Sequence, residues 1–480
     1  MAVNIQNEVA SVFHYFDKIC SIPHGSGNMN GLADYCEQFA QEMGLRAVRD
    51  GENNVVIYKS GTEGYENSAP IILQGHLDMV CQKTDDADID FEKDGIETYI
   101  DGDFIKARGT TLGADNGIAV AMIMAVLASR DLPHPPIEAV FTTDEEIGMV
   151  GAEKLDCTLL TGKKMINLDS EEADVLTVSC AGGSDFKLLL PVGKRIVRGT
   201  KITLEIANLK GGHSGIDIDK GRINANLLAG RILNHAGKSA EFHIKDISGG
   251  TKNNAIPFCC KAEMVADDVQ NLVGAMQDCI AIVKREMGDR EKDCSVVLTQ
   301  GPTGDYEVLT SDSRARLLNI LLTTPNGVVD MSAEIDGLVE TSLNLGVLMM
   351  HDGGFMMQYA LRSNKSSALT FLEERMAAFA DSNGCRYEIS CRYEPWELKK
   401  DSPLQRLYAE AYCEQFGRKP QIAAIHAGLE CAVFAKKIDG LDCISVGPDM
   451  FGVHTVHEKL SISSATEIFK LLCTVLGRCK

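Results

Sequence analysis

The sequence lacks any excess of positive charge. Its 47 Lys and Arg face 68 Asp and Glu, a formal net charge of -21 at pH 7. Nucleic-acid phosphates and an anionic membrane surface would both be repelled, so neither is an expected partner. An acidic surface also serves solubility, so the sign of the charge names no substrate. Long apolar runs are missing too. The longest, Ile118 to Ala128, is too short to span a bilayer and reads as a buried helix. The first twenty residues contain no basic stretch leading into an unbroken apolar core, so the sequence predicts no signal peptide and a cytoplasmic chain. None of the 16 cysteines forms a CxxC pair, and Cys259 and Cys260 are adjacent. A thiolate zinc site and a disulfide scaffold are both disfavoured, and the cysteines read as reduced core thiols. There is no low-complexity tract and no short repeat.

What is present is an ordinary globular composition, 45% hydrophobic and 24% charged, enough to bury a large core in two or three domains. The first part alternates helix and strand patterns: helices over 7–20, 30–43 and 116–129, strands at Ile71–Gln74, Ile137–Thr142 and Lys164–Leu168. This rhythm predicts an α/β fold with a mostly parallel central sheet. From about Ser184 the pattern changes. Strands at Lys201–Ala207, Phe258–Met264, Ser342–Met349 and Phe355–Leu361, with helices near 220–236, 267–287 and 365–383, suggest an α+β domain. After Tyr393 the α/β rhythm returns, with a strand at Asp442–Val446 and a last helix over 461–478. The expected organisation is therefore a discontinuous catalytic domain, 1–184 plus 393–480, interrupted by an inserted domain over 185–392.

Chemistry-bearing residues gather at predicted strand ends, where open α/β sheets place their sites. Gly75-His76-Leu77-Asp78 puts a histidine and a carboxylate at i and i+2, on one side of an extended chain, so Asp78 can fix the His76 tautomer. Asp115 opens a helix within Gly113-Ala114-Asp115-Asn116-Gly117, where the density of small residues suggests that something charged approaches the backbone. Asp144-Glu145-Glu146 follows an apolar strand, and in extended geometry the neighbouring acids diverge and can take different jobs. Asp169 follows another strand, and Gly452-Val453-His454-Thr455-Val456-His457-Glu458 lies far downstream. Taken singly, each has a plain structural reading: a satisfied histidine, an N-cap, a solvated acidic loop.

Together, GHLDMV, GTTLGADNG, TDEEIG, NLDSEE, GGHSG, NNAIP, HAGLE and GVHTVHE occur in the order seen in the co-catalytic di-zinc peptidases of the aminoacylase/carboxypeptidase type, and the chain resembles that family over nearly its whole length. The resemblance implies two Zn2+ ions, one held by His76 and Asp169, the other by Glu146 and His454, with Asp115 bridging. Three carboxylates and a hydroxide balance the charge of two such ions. Mn2+ or Co2+ also suits these donors. It further implies Glu145 as general base, Asp78 as the residue orienting His76, and His213 as a donor to the tetrahedral oxyanion. Asn254, Arg362 and Gly428 correspond to substrate contacts, Arg362 holding a free carboxylate. The last motif departs from the pattern, having HTVHE where many relatives carry a Pro and an Asp after the histidine, so His457 is an alternative to His454. The GSGNMN segment after His24 lacks an acid that relatives often carry.

The implied activity is hydrolysis of dipeptides, with the inserted domain acting as a lid and a homodimer expected. Whether His213 acts within its own chain or across the dimer is left open by the sequence. An N-acyl-amino-acid deacylase could use the same residues, but TPNGV and GGTKNNAIP favour the dipeptidase branch. A non-catalytic metal-binding protein would be expected to lack a ligand or the base, and this sequence retains them all.

Overall fold

The computed structural model describes residues 5–480. Two compact units are present. The first comprises residues up to Cys180, Trp396–Ala424 and Leu429–Lys480; the second comprises Ala181–Pro395 and Ile425–Gly428. The segment 425–428, which the sequence reading keeps with the catalytic portion, groups with the second unit instead.

The first unit is built on an eight-stranded sheet, in the order Arg46–Arg49, Val55–Lys59, Ile137–Thr142, Ile71–His76, Lys164–Asn167, Asp442–Ser445, Val175–Cys180 and Gln421–Ile425. The four strands from Ile137–Thr142 to Asp442–Ser445 pair in parallel; Val55–Lys59 and Val175–Cys180 flank them antiparallel. The expected parallel pairing is found at the centre of the sheet, with antiparallel pairs beside it. All six residues of Ile71–His76 and of Ile137–Thr142 are buried, as befits parallel strands covered on both faces.

The helix Ala114–Ala128 is buried almost throughout, packed on Ile71–His76 and on the helix Ile5–Cys20. Its small residues permit that packing. A Cβ on Gly75 would stand 2.5 Å from Asn116 Oδ1 and 3.0 Å from the Ala119 Cβ, and one on Gly117 would meet Phe16 and Ile19. The charged group that the sequence suggested close to this backbone is the Glu458 carboxylate, which accepts the amides of Leu112, Gly113, Ala114 and Asp115. A small four-stranded sheet, Met450–Phe451, Lys459–Ser461, Phe104–Ala107 and Thr98–Asp101, frames the segment 452–458.

The second unit is an antiparallel sheet running Ser295–Leu309, Lys194–Ala207, Cys260–Ala266, His243–Gly249, Val339–His351, Gly354–Ser363, Gly182–Pro191 and Arg386–Tyr393, with Gly327–Met331 paired to Val339–His351. The helices Ala225–Ala236, Val269–Met287, Ser311–Thr323 and Ser366–Ser382 contribute Leu228, Ile232, Met276, Leu317 and Leu372 to a core shared with Phe186, Leu204, Met264 and Tyr359. Helix Ala225–Ala236 starts later than the periodicity suggested because Asn224 caps it, its side chain accepting the amides of Asn226 and Leu227.

Candidate active site

Three adjacent parallel strands bring the first-unit candidates together. His76 is the last residue of Ile71–His76 and lies opposite Thr142, while Gln74 lies opposite Asn167. Their carboxyl ends are therefore level, and Glu145, Glu146 and Asp169 follow within a few residues, as open α/β sheets favour. A buried polar row ties these ends: Asn167 Nδ2 donates to Gln74 Oε1 (2.6 Å), and Gln74 Nε2 (2.5 Å) and Thr142 Oγ1 (2.7 Å) both donate to Glu430 Oε2. Glu430 is fully buried, and burial raises its pKa to about 7. It is the last residue of HAGLE, where the sequence alone assigns it no role; the pairing of the three strands shows what its carboxylate meets.

Asp115 stands at the centre. Its Oδ1 is 3.1 Å from His76 Nε2, and its Oδ2 is 3.1 Å from His454 Nε2. His76 Nε2 is also 3.4 Å from Asp169 Oδ1, and His454 Nε2 is 2.9 Å from Glu146 Oε1. Asp115 caps no helix. It and Asn116 have non-helical dihedrals inside Ala114–Ala128, joined by a cis peptide. Asn116 Oδ1 accepts the His76 amide (3.2 Å) and its Nδ2 donates to Leu168 O (2.9 Å), so this residue, which the sequence did not single out, links the strands bearing His76 and Asp169. His457 is exposed, and its amide bonds Thr455 Oγ1; the ring that reaches Asp115 and Glu146 is that of His454.

The acids after Thr142 do not continue an extended strand. Asp144 is left-handed (φ 54°), and the amides of Gly148 and Met149 turn back to Glu145 O. Asp144 Oδ1 accepts the Gly27 amide at 2.7 Å, Glu146 meets His454, and Glu145 is left as the third acid. Asp78 also differs from expectation. His76 Nδ1 lies 2.9 Å from the backbone carbonyl of Asp78 and 3.6 Å from its carboxylate. The carboxylate instead accepts the amides of Glu145 (3.0 Å) and Glu146 (3.2 Å) and the Ser26 hydroxyl (2.8 Å). It braces the acidic turn, while its main chain fixes the His76 tautomer, with Nδ1 as donor.

The electrostatics follow from this crowding. Burial pushes Asp115 up, but hydrogen bonds from His454 and His76 outweigh it and hold the carboxyl below its ordinary value. Hydrogen bonds to Asp115 and Glu146 raise His454 to about 11. For His76 burial opposes the charge, yet Asp169 and Asp115 raise its pKa well above the imidazole range. Burial raises Asp169 to about 6 and Glu145 well above the carboxylate range. The cluster thus draws positive charge. His76, Asp115 and Glu146 each offer a donor atom within 4.8 Å of the others, a group able to hold a metal ion. The nitrogen and carboxylate donors, without thiolate, fit divalent zinc or manganese.

The remaining candidates lie in the second unit. His213 is in the short strand Gly212–His213, paired with Ala255–Ile256. Its Nδ1 accepts the amides of Gly215 and Ile216, both at 3.2 Å, which puts the proton of the neutral ring on Nε2. Burial and the nearby Arg362 lower its pKa to about 4. Arg362, buried in Gly354–Ser363, donates from Nη1 to the Tyr393 hydroxyl (3.1 Å), and its Nε finds no hydrogen bond among the described residues. His426, absent from the sequence candidates, is 2.7 Å from Ser342 Oγ and 3.1 Å from Asn364 Oδ1; burial and Arg362 lower it to about 3. A Cβ on Gly215 would collide with the His426 carbonyl, so the His213 turn lies directly on the segment that ends in Gly428. Asn254 O accepts the Ser214 amide (2.9 Å), placing Asn254 beside the same turn.

Residues 72–478 match the model of Peptidase family M20/M25/M40. The chain is 39% identical over 465 residues to the cytosol non-specific dipeptidase of Escherichia coli (strain K12), covering 96% of each protein. The aminoacylhistidine dipeptidase of Vibrio alginolyticus has a similar structure, with TM-score 0.89 and 36% identity over 98% of this chain and 96% of that one. A tripeptidase of Staphylococcus aureus shares the fold at TM-score 0.56 and 14% identity, covering 98% of each chain. With a family model matched over most of its length and a relative aligned almost end to end, the chain belongs to peptidase family M20/M25/M40.

Proposed function

We propose that the chain is a metal-dependent dipeptidase of broad or Xaa-His specificity. The observation that carries the metal reading is the division of Asp115, one oxygen toward His76 and the other toward His454. His76 with Asp169, and His454 with Glu146, form two half-sites around a shared carboxylate. They would hold two divalent cations, Zn2+ in the first instance, with Mn2+ or Co2+ as substitutes. Cations held there would supply Lewis-acid polarisation of the scissile carbonyl and a more acidic attacking water.

Glu145 is the proposed general base. It takes a proton as the water oxygen adds to the carbonyl carbon, and returns it to the amide nitrogen as the C–N bond breaks, releasing two amino acids. Asp78 keeps Glu145 and Glu146 in register through their amides. In the second unit, neutral His213 offers its Nε2 proton to the developing oxyanion. Arg362, with guanidinium valence to spare, is proposed to take the substrate's C-terminal carboxylate, with Asn254 and Gly428 as further substrate contacts. The second unit is proposed to act as lid and dimerisation domain. A homodimer and a cytoplasmic location belong to the same reading, which the names of the Escherichia coli and Vibrio relatives support in its dipeptidase part.

The test is a panel of dipeptides including β-Ala-His, with matched tripeptides and N-acetylated amino acids, offered to the Zn2+-loaded protein. Cleavage confined to dipeptides is expected. Cleavage of the N-acetylated compounds alone would reassign the chain as a deacylase.

A further inference from the structure

Glu458 ends the segment that carries His454, and no role in the chemistry above falls to it. Its side chain is nonetheless the most heavily bonded carboxylate near the site. Oε2 accepts the amides of Leu112 (2.6 Å) and Gly113 (3.1 Å); Oε1 accepts those of Ala114 (2.9 Å) and Asp115 (3.3 Å). Four consecutive backbone donors at the mouth of a helix, which have no partner within the helix, thus converge on one carboxylate that is only 4% exposed. Four residues earlier the same segment presents His454 to Asp115 Oδ2. The segment is anchored behind Glu458 by Lys459–Ser461, paired with Phe104–Ala107, and turned by the Glu458 amide bonding Thr455 O (3.1 Å). The main chain of Asp115 and the ring of His454 are therefore fixed against each other by one side chain.

We infer that Glu458 is a positioning residue for the two-cation centre, setting the shared carboxylate Asp115 at the distance from His454 that a metal ion needs. This deepens the metal reading of the site and rests on it. The role depends on a carboxylate. Glutamine has the same shape, but its Nε2 would turn a donor toward two backbone donors, removing two acceptors and adding repulsion. A residue that merely filled space would be replaced by glutamine without effect.

The experiment measures Zn2+ affinity and stoichiometry on chelator-stripped full-length protein, by competition with a chromogenic chelator, for the parent, Glu458→Gln and Glu458→Asp, with circular dichroism of each metal-free chain. The parent should take two equivalents. Glu458→Gln, folded, should bind about 10- to 100-fold more weakly, the size typical of lost outer-sphere partners, and Glu458→Asp should lose less. Parent-like affinity in folded Glu458→Gln would overturn the inference while leaving the metal site standing. Should Glu458→Gln fail to fold, Glu458→Asp decides: weaker binding supports the inference and parent affinity overturns it. A parent that binds no Zn2+ would remove the metal reading and this inference together.

Discussion

Two histidines of the acidic cluster in the first unit and two histidines of the second unit are driven in opposite directions. In the first unit His76 and His454 are pulled toward the cation, His454 to about 11, because Asp115, Asp169 and Glu146 crowd around them. In the second, His213 and His426 are pushed to about 4 and about 3 by burial and by Arg362. The same side chain therefore reports two kinds of site. One has surplus negative charge and calls for cations. The other keeps its imidazoles neutral, chiefly by burial and then by the Arg362 guanidinium near them.

The largest effect that sharpens this contrast is expected at Glu145. Glu145→Gln should lower kcat by about 10^2- to 10^4-fold, the span for loss of a general base, while metal content measured by atomic absorption stays at the parent value. Retained turnover would remove Glu145 from its role. In the second unit Arg362→Ala should raise KM for dipeptides by about 10- to 100-fold, corresponding to a charge-assisted hydrogen bond worth about 1.5–3 kcal/mol. A dipeptide amide, which lacks the carboxylate, should show a much smaller difference between the two enzymes. Equal losses on both substrates would mean that Arg362 does not read the C-terminus.

A smaller effect separates the units by pH. His76 and His454 bind protons more tightly folded than unfolded, so their contribution to metal-free stability is fully present below the unfolded value near 6.5 and is lost as pH rises toward the folded value. The raised carboxyls Asp169 and Glu430 act in the same direction, over a lower range between the ordinary carboxylate value and about 6 to 7. The lowered His213 and His426 have the opposite sign, but their change lies below the unfolded imidazole value, in acid. The Tm of the metal-free chain should therefore fall between pH 6.5 and 9, and Zn2+ should restore it. A Tm that rises over this interval without metal would contradict the charge picture of the first site.

Much of the first unit was legible in the sequence because its determinants are local. Apolar strands followed at once by acids give Glu145, Glu146 and Asp169, and the strand ends are level because parallel pairing aligns them. Asn116 and Glu430 escaped notice because their partners lie on other strands, and nothing in their own neighbourhoods announces a bond to His76 or Gln74. Asp78 was assigned to the right histidine, but its backbone carbonyl stands nearer the ring (2.9 Å) than its carboxylate (3.6 Å), a difference that an i, i+2 pattern cannot show. The edge strand Ser295–Leu309 was not picked out. Most of its side chains are exposed or half-buried and it contains both Pro302 and glycine, so it carries no hydrophobic alternation to read.

The most direct test of the account is a metal titration of the chelator-stripped chain, following dipeptide hydrolysis and proton release together in weakly buffered solution near pH 7. Cations must displace the protons held on His76 and His454. The account predicts that activity rises to a plateau at two equivalents of Zn2+ and that protons are released along the same curve. Full activity without added metal, or two equivalents bound with no proton release, would contradict it.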